Sequence, residues 1–150
     1  MAIRNSAKAL VIRDGKILLN RCRARYGVYY ALPGGGQKYG ETLSDAIKRE
    51  LLEETGFSVT PQRMAGVYEA ITHRRNSIPD HKVYFFFLCT LNSAAPLNPT
   101  HRDDYQLSSE WVDLSEAASG RLFPKTVRDN LLKMIYCEGT IYLGSEHKGG

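Results

Sequence analysis

The chain has 150 residues, 43% of them apolar and 24% charged, and a net charge of +4. This length and balance fit one globular domain with a real core, and exclude a disordered or low-complexity chain. The small, dispersed positive charge would suit steering of polyanionic small molecules but not duplex nucleic acid, and composition by itself favours simple solubility; the longest apolar run, residues 83–89, is far short of the ~20 needed for a membrane helix.

Residues 7–13 and 16–23 read as two strands joined by Asp14-Gly15, a strong hairpin signal. Leu10, Val11 and Ile12 are apolar on both faces, as a central strand requires. The basic stretch 21–26 reads as a loop, either solvated or near a substrate. Cys22 and Cys89 sit in strand-like runs as small hydrophobes. With Cys137 they make an odd set without metal spacing, so a reducing, cytoplasmic setting is expected. The first six residues carry no apolar stretch of the secretory type.

Leu32-Pro33 ends a strand, and Gly34, Gly35 and Gly36 follow. Three glycines allow unusual dihedrals and close approach of the backbone to a ligand. A helix is expected next, capped by Thr42 or Ser44, with Asp45 favourable in the first turn. Gly56 is placed to end it in a left-handed turn. At ~100° per residue, Glu50, Glu53 and Glu54 fall within roughly a 100° arc. Like charges at these spacings cost a few tenths of a kcal/mol per pair, and they face the negative end of the helix dipole. The structural reading is a solvated acidic face. The functional one is a divalent cation that removes the repulsion: Mg²⁺ first, Mn²⁺ second, because carboxylate oxygens suit hard cations.

Pro61 reads as a chain break, with strands over 64–72 and 81–91. Between them, residues 73–81 hold two arginines and two histidines, either to grip phosphates or a base, or as a solvated hairpin tip. The histidines lack zinc spacing. Residues 92–107 read as a long irregular stretch with Pro96 and Pro99, a length that is often functional. A short strand is expected at 110–112. A last helix is expected from Phe123-Pro124 to about Tyr136, with Val127, Leu131, Leu132 and Ile135 as its core stripe. Residues 1–143 form the expected single domain, and 144–150 read as a flexible tail. Periodicity by itself supports mixed α and β.

Gly35, Glu41, Arg49-Glu50-Leu51, Glu53-Glu54 and Gly56-Phe57 stand at the spacing G-x5-E-x7-R-E-U-x-E-E-x-G-U, where U is bulky and apolar. That is the Nudix box without a departure, and the chain resembles the Nudix hydrolase family. The resemblance implies an α+β fold, an α/β/α sandwich around a mixed sheet. It implies Mg²⁺-dependent hydrolysis of a diphosphate linkage in a nucleoside diphosphate joined to another moiety. Glu50, Glu53 and Glu54 would hold the metal with a backbone carbonyl near Gly35. Gly34, Gly35 and Gly36 would shape the approach of the diphosphate. Arg49 would orient the glutamates, and Glu41 would brace the loop or assist the metal.

Members of this family commonly supply a general base from the loop before a Trp-Val-like pair, here Trp111-Val112. Asp104 is the first candidate and Asp103 the second; a box glutamate or Glu69 is the alternative. Nucleoside triphosphates, nucleotide sugars and dinucleoside polyphosphates remain as substrates. Pro61 is too near the box to be the proline marker of ADP-ribose pyrophosphatases, and His73 occupies that place. Tyr68 is a loose match to the tyrosine of dinucleoside polyphosphate hydrolases. Tyr29, Tyr30 or Tyr68 could stack on a base or simply pack. The alternative is a non-catalytic Nudix domain that binds a nucleotide or scaffolds a partner, which the complete box disfavours. An isoprenoid diphosphate isomerase finds little support in Cys22 and Cys89. Homodimers are common among such domains.

Overall fold

A computed structural model describes residues 2–73 and 78–149. The expected hairpin is present. Asp14 (φ 52°) and Gly15 (φ 74°) both take positive φ, as the tightest hairpin turns require, and join β1 (Arg4–Arg13) to β2 (Lys16–Ala24). β3 (Gly27–Ala31) folds back on β2, so the basic stretch 21–26 is mostly strand rather than loop. The cross-strand pairs Arg21 with Tyr30 and Cys22 with Tyr29 hold it there.

The glycine segment also differs from expectation. Gly34–Gly36 form a short strand, β4, antiparallel to β1, with Ala7 opposite Gly35. The helix α1 (Leu43–Thr55) follows, then β5 (Val59–His73) and β6 (Asp80–Leu91), paired antiparallel. Pro61 does not break the chain. It lies within β5 where the register shifts between Pro61 and Arg63, and such a bulge tolerates a residue without an amide donor. β7 (Gln106–Asp113) pairs with β2 and leads into α2 (Leu114–Ser119).

The single last helix expected from Phe123 is two short ones, α3 (Lys125–Asp129) and α4 (Leu131–Tyr136). The break falls at Asn130 (φ −109°), whose side-chain amide joins its own backbone N–H in donating to Thr126 O, at 2.8 and 3.2 Å. The expected flexible tail at 144–150 is corrected as well. Ile141–Gly149 form β8, parallel to β5. Backbone pairing to an open sheet edge does not depend on apolar side chains, so composition conceals it. Two tyrosine–glutamate bonds reinforce it, Tyr68 to Glu146 and Tyr142 to Glu69 (the latter 2.7 Å).

Among the described residues the strand order is β3-β2-β1-β6-β5-β8, with β4 and β7 pairing off this path. β1/β6 and β5/β8 are parallel and the other pairs antiparallel, so the sheet is mixed. Strand alternation separates two cores. Ala7, Ala9, Val11 and Leu18 pack against Ala46, Ile47 and Leu51 of α1. Leu10, Ile17 and Leu19 pack against Ala117, Val127, Leu131 and Met134 on the opposite face. Helices therefore cover both faces, as the α/β/α expectation required. No described helix is long and apolar enough to cross a membrane.

Candidate active site

The box helix begins where Thr42 accepts from the Asp45 amide while Asp45 accepts from the Thr42 amide, each at 3.1 Å, a reciprocal cap that chooses Thr42 over Ser44. It ends at Gly56 in the left-handed conformation (φ 77°). There the loop after β6 docks. Leu97 N donates to Gly56 O (2.9 Å), His101 N to Glu53 O (2.9 Å) and Arg102 Nε to Glu54 O (3.2 Å). These carbonyls would be orphaned at a free helix end. The long irregular stretch is thus the cap that fixes the glutamate-bearing turn. A side chain at Gly56 would run into Leu97 O.

Arg49 organises the carboxylates. Its guanidinium donates to Glu41 Oε2 (2.7 Å) and Oε1 (3.0 Å), Glu50 Oε1 (2.9 Å), Glu53 Oε2 (3.3 Å) and the Gly36 carbonyl (2.9 Å). A planar fork with five donors can do this; an ammonium cannot. Bonded by Arg49, the Glu41 carboxyl is held down at about 2. Glu41 also accepts from Lys38 N at 2.9 Å. It braces the loop and is not among the residues lining the glutamate cleft. Glu50 and Glu53 each use one oxygen on Arg49 and keep the other.

Glu54 is placed differently. It is 4% exposed and accepts from Gly34 N (3.2 Å), Asn20 Nδ2 (3.3 Å) and Gln106 Nε2 (3.2 Å). Burial pushes its carboxyl up to about 7 against the pull of Lys8. Lys8 donates to Gly34 O at 3.2 Å, and burial lowers its pKa while Glu54 and Glu50 oppose that. Asn20 and Lys8 were not among the sequence candidates. Their signal was a polar residue inside an otherwise apolar strand run.

Glu50, Glu53 and Glu54 line one cleft of about 610 Å³ with Gly34, Gly35, Gly36, Arg49 and Lys8. A Cβ on Gly35 would stand 2.6 Å from Glu50 Cδ, so glycine is what admits that carboxylate beside the strand. Among the described residues no three acidic, His or Cys side chains are gathered closely enough to hold a metal ion by themselves. The carboxylate oxygens of Glu50 and Glu53 that Arg49 leaves unused nonetheless fit a hard divalent cation that keeps waters and shares phosphate oxygens, with the buried Glu54 carboxylate behind them.

Asp103 and Asp104 are both exposed, but Asp103 lines the cleft with His101 and Tyr105 and Asp104 does not. The chain turns here, with Gln106 N donating to Asp103 O (2.9 Å) and Asp103 N to Gln106 Oε1 (3.1 Å), and this turn sets Asp103 and Tyr105 on the cleft wall. Asp103 accepts from Tyr105 OH at 3.0 Å. Glu69 is engaged by Tyr142 and lies 3.4 Å from His81 Nε2, outside the cleft. Within residues 73–81, Arg74 and Arg75 lie outside the described residues; His73 stacks on His147 (6.5 Å).

A second cavity of about 240 Å³ adjoins the cleft and shares Lys8, Tyr84 and Tyr105 with it. Tyr29 and Tyr68 line it; Tyr30 does not, and its hydroxyl donates to Glu110 at 2.8 Å instead.

Residues 3–132 match the NUDIX domain family. An ADP-ribose pyrophosphatase of Methanocaldococcus jannaschii is 39% identical over 62 residues, 41% of this chain and 37% of that protein. An uncharacterized Nudix hydrolase of Bacillus subtilis, YvcI, is 28% identical over 103 residues, 69% of this chain and 61% of that protein. The chain thus spans less than two thirds of the curated relatives it matches. A solved Nudix hydrolase from Nitrosomonas europaea superimposes with a TM-score of 0.72 at 22% identity, covering 90% of this chain and 89% of that one, which speaks for the fold. With the match running through most of both cores and the whole box, the chain belongs to the Nudix family.

Proposed function

We propose that this chain hydrolyses a diphosphate linkage in a nucleoside diphosphate joined to another moiety, using Mg²⁺, with Mn²⁺ as a substitute. The observation that carries the reading is Arg49, which holds Glu41, Glu50, Glu53 and the Gly36 carbonyl at once beside the glycine strand. A bound cation would supply charge neutralisation on the phosphates and a lowered pKa for an attacking water. Glu50, Glu53 and Glu54 are the residues to hold it, with the Gly35 backbone beside them.

The chain's own residues supply the remainder. Lys8, Lys38 and Lys82 line the cleft and offer charge to phosphate oxygens. Asp103, which lines the cleft where Asp104 does not, is the proposed acceptor of a proton from the attacking water. The aromatic cavity beside the cleft offers a seat for a base. Nucleoside triphosphates, nucleotide sugars and dinucleoside polyphosphates all contain the linkage, and ADP-ribose, named for the archaeal relative, belongs to the same class. The partner is a small molecule, and the three free cysteines accord with a reducing cytoplasmic setting.

The test is a panel of these nucleotides incubated with the purified chain and Mg²⁺, following phosphate, pyrophosphate or nucleoside monophosphate release. Turnover of at least one compound is expected. Tight nucleotide binding with no turnover of any compound would favour a non-catalytic binding domain instead.

A further inference from the structure

The cavity of about 240 Å³ beside the glutamate cleft has an unusual balance of polar groups. Its walls are aromatic, with Tyr29, Tyr68, Tyr84, Tyr105 and Phe123, and its charged residues are Lys8 and Lys148. No carboxylate or carboxamide side chain lines it among the described residues. The nearby carboxylates are already used: Tyr68 OH donates to Glu146, and Tyr105 OH donates to Asp103 at 3.0 Å.

Lys148 comes from β8, beyond the 3–132 stretch that matches the family. Its ammonium stands 3.5 Å from Glu146 Oε2 and 4.7 Å from the centre of the Phe123 ring. Glu146 is itself fixed by Tyr68, a residue 2% exposed. An ammonium has three donors. One serves Glu146, one lies over Phe123, and one is left for a ligand. The pocket thus combines flat apolar walls with a positioned cationic donor, while its remaining acceptors are phenolic oxygens. A charge-assisted bond from Lys148 to a carbonyl is roughly twice as strong as a neutral amine–phenol bond. The volume lies below the ~300 Å³ of pockets for drug-sized ligands, which favours a single ring.

We propose that this pocket seats a ring edged with carbonyl oxygens and lacking an exocyclic amine, of the uracil or thymine type, and that Lys148 selects it. The inference rests on the proposed hydrolase only for the diphosphate attached to that ring. Lys148 is then a specificity-determining residue supplied by β8, past the residues that match the family.

The test measures binding of uridine and adenosine monophosphates to the full chain in EDTA by calorimetry, so that metal and turnover play no part. The uridine nucleotide is expected to bind about tenfold more tightly or better, the scale of one hydrogen bond to a charged group. Lys148→Met should remove most of that ratio by weakening the uridine nucleotide alone, and Lys148→Arg should retain it. Equal or tighter adenosine binding to the unaltered chain would overturn the proposal, as would an unchanged ratio in a folded Lys148→Met. If that variant fails to fold by circular dichroism, the unaltered chain and Lys148→Arg still decide. Absence of the ratio in the unaltered chain, with diphosphate turnover intact, sinks only the pocket assignment; a clear ratio in the unaltered chain without turnover sinks only the hydrolase reading.

Discussion

Gly35 and Glu50 are in such close register that a single methyl group on the glycine would stand 2.6 Å from the Glu50 carboxyl carbon. The strand is bonded to β1, so the Glu50 carboxylate, held by Arg49, is the group that gives way. Gly35→Ala should therefore displace Glu50 while leaving the fold intact. We expect metal affinity to fall about 10–100-fold, the scale on which supporting contacts tune a metal site. Calorimetric Mg²⁺ or Mn²⁺ titration checks it; unchanged affinity would mean Glu50 is not a ligand.

Arg49→Lys keeps the charge and loses the fork. One ammonium cannot reach Glu41, Glu50, Glu53 and the Gly36 carbonyl together. Turnover should drop about 10–100-fold, with the larger effect on metal affinity. Steady-state kinetics across a metal titration would reveal this, and a variant with unaltered kinetics would reduce Arg49 to a surface residue.

The loop that docks on the helix end makes a separate prediction. A Cβ at Gly56 meets Leu97 O and also demands a left-handed backbone from a residue that disfavours it. Gly56→Ala should cost more than ~1 kcal/mol of stability. It should also raise hydrogen exchange across residues 95–106, because the carbonyls that the loop caps would shift. A melting temperature and exchange profile like those of the parent would contradict this.

The attachment of β8 should depend on pH at both ends. The Tyr68 hydroxyl holds Glu146 below the usual carboxylate range, and Tyr142 does the same for Glu69. A depressed carboxylate contributes stability that is present above its unfolded pKa and lost as pH falls through its folded one. Tyr68 is raised, first by burial and then by Glu146. Its contribution is present below its unfolded pKa and lost as pH rises through the folded value. Amide exchange in residues 141–149 should accelerate ahead of β1 when the pH drops below about 4 or climbs above about 10. Exchange that follows β1 throughout would show β8 to be held otherwise.

Much of the site was legible in the sequence because its determinants are local. Thr42, Asp45, Gly56 and the 3.6-residue spacing of Glu50, Glu53 and Glu54 all act within one helix, and the box spacing carries Arg49 and Glu41 with them. What was not legible depends on distant pairing. β8 forms because β5 presents an open edge, and nothing within residues 144–150 announces that edge. Pro61 is tolerated because β6 accommodates a bulge opposite it. Asp103 and Asp104 are indistinguishable as neighbours in a loop until the anchoring of His101 and Gln106 decides which one lines the cleft. Lys8 and Asn20 gain their roles only when strand and helix are brought together.

If the box glutamates serve metal-dependent hydrolysis, Glu53→Gln should disable the chain without unfolding it. The substitution keeps size and hydrogen bonding to Arg49 but removes a negative charge. Turnover of the best nucleotide in the panel, measured with saturating Mg²⁺, should fall by orders of magnitude while circular dichroism and melting temperature remain close to the parent. Turnover that survives the change in a folded protein would contradict the account.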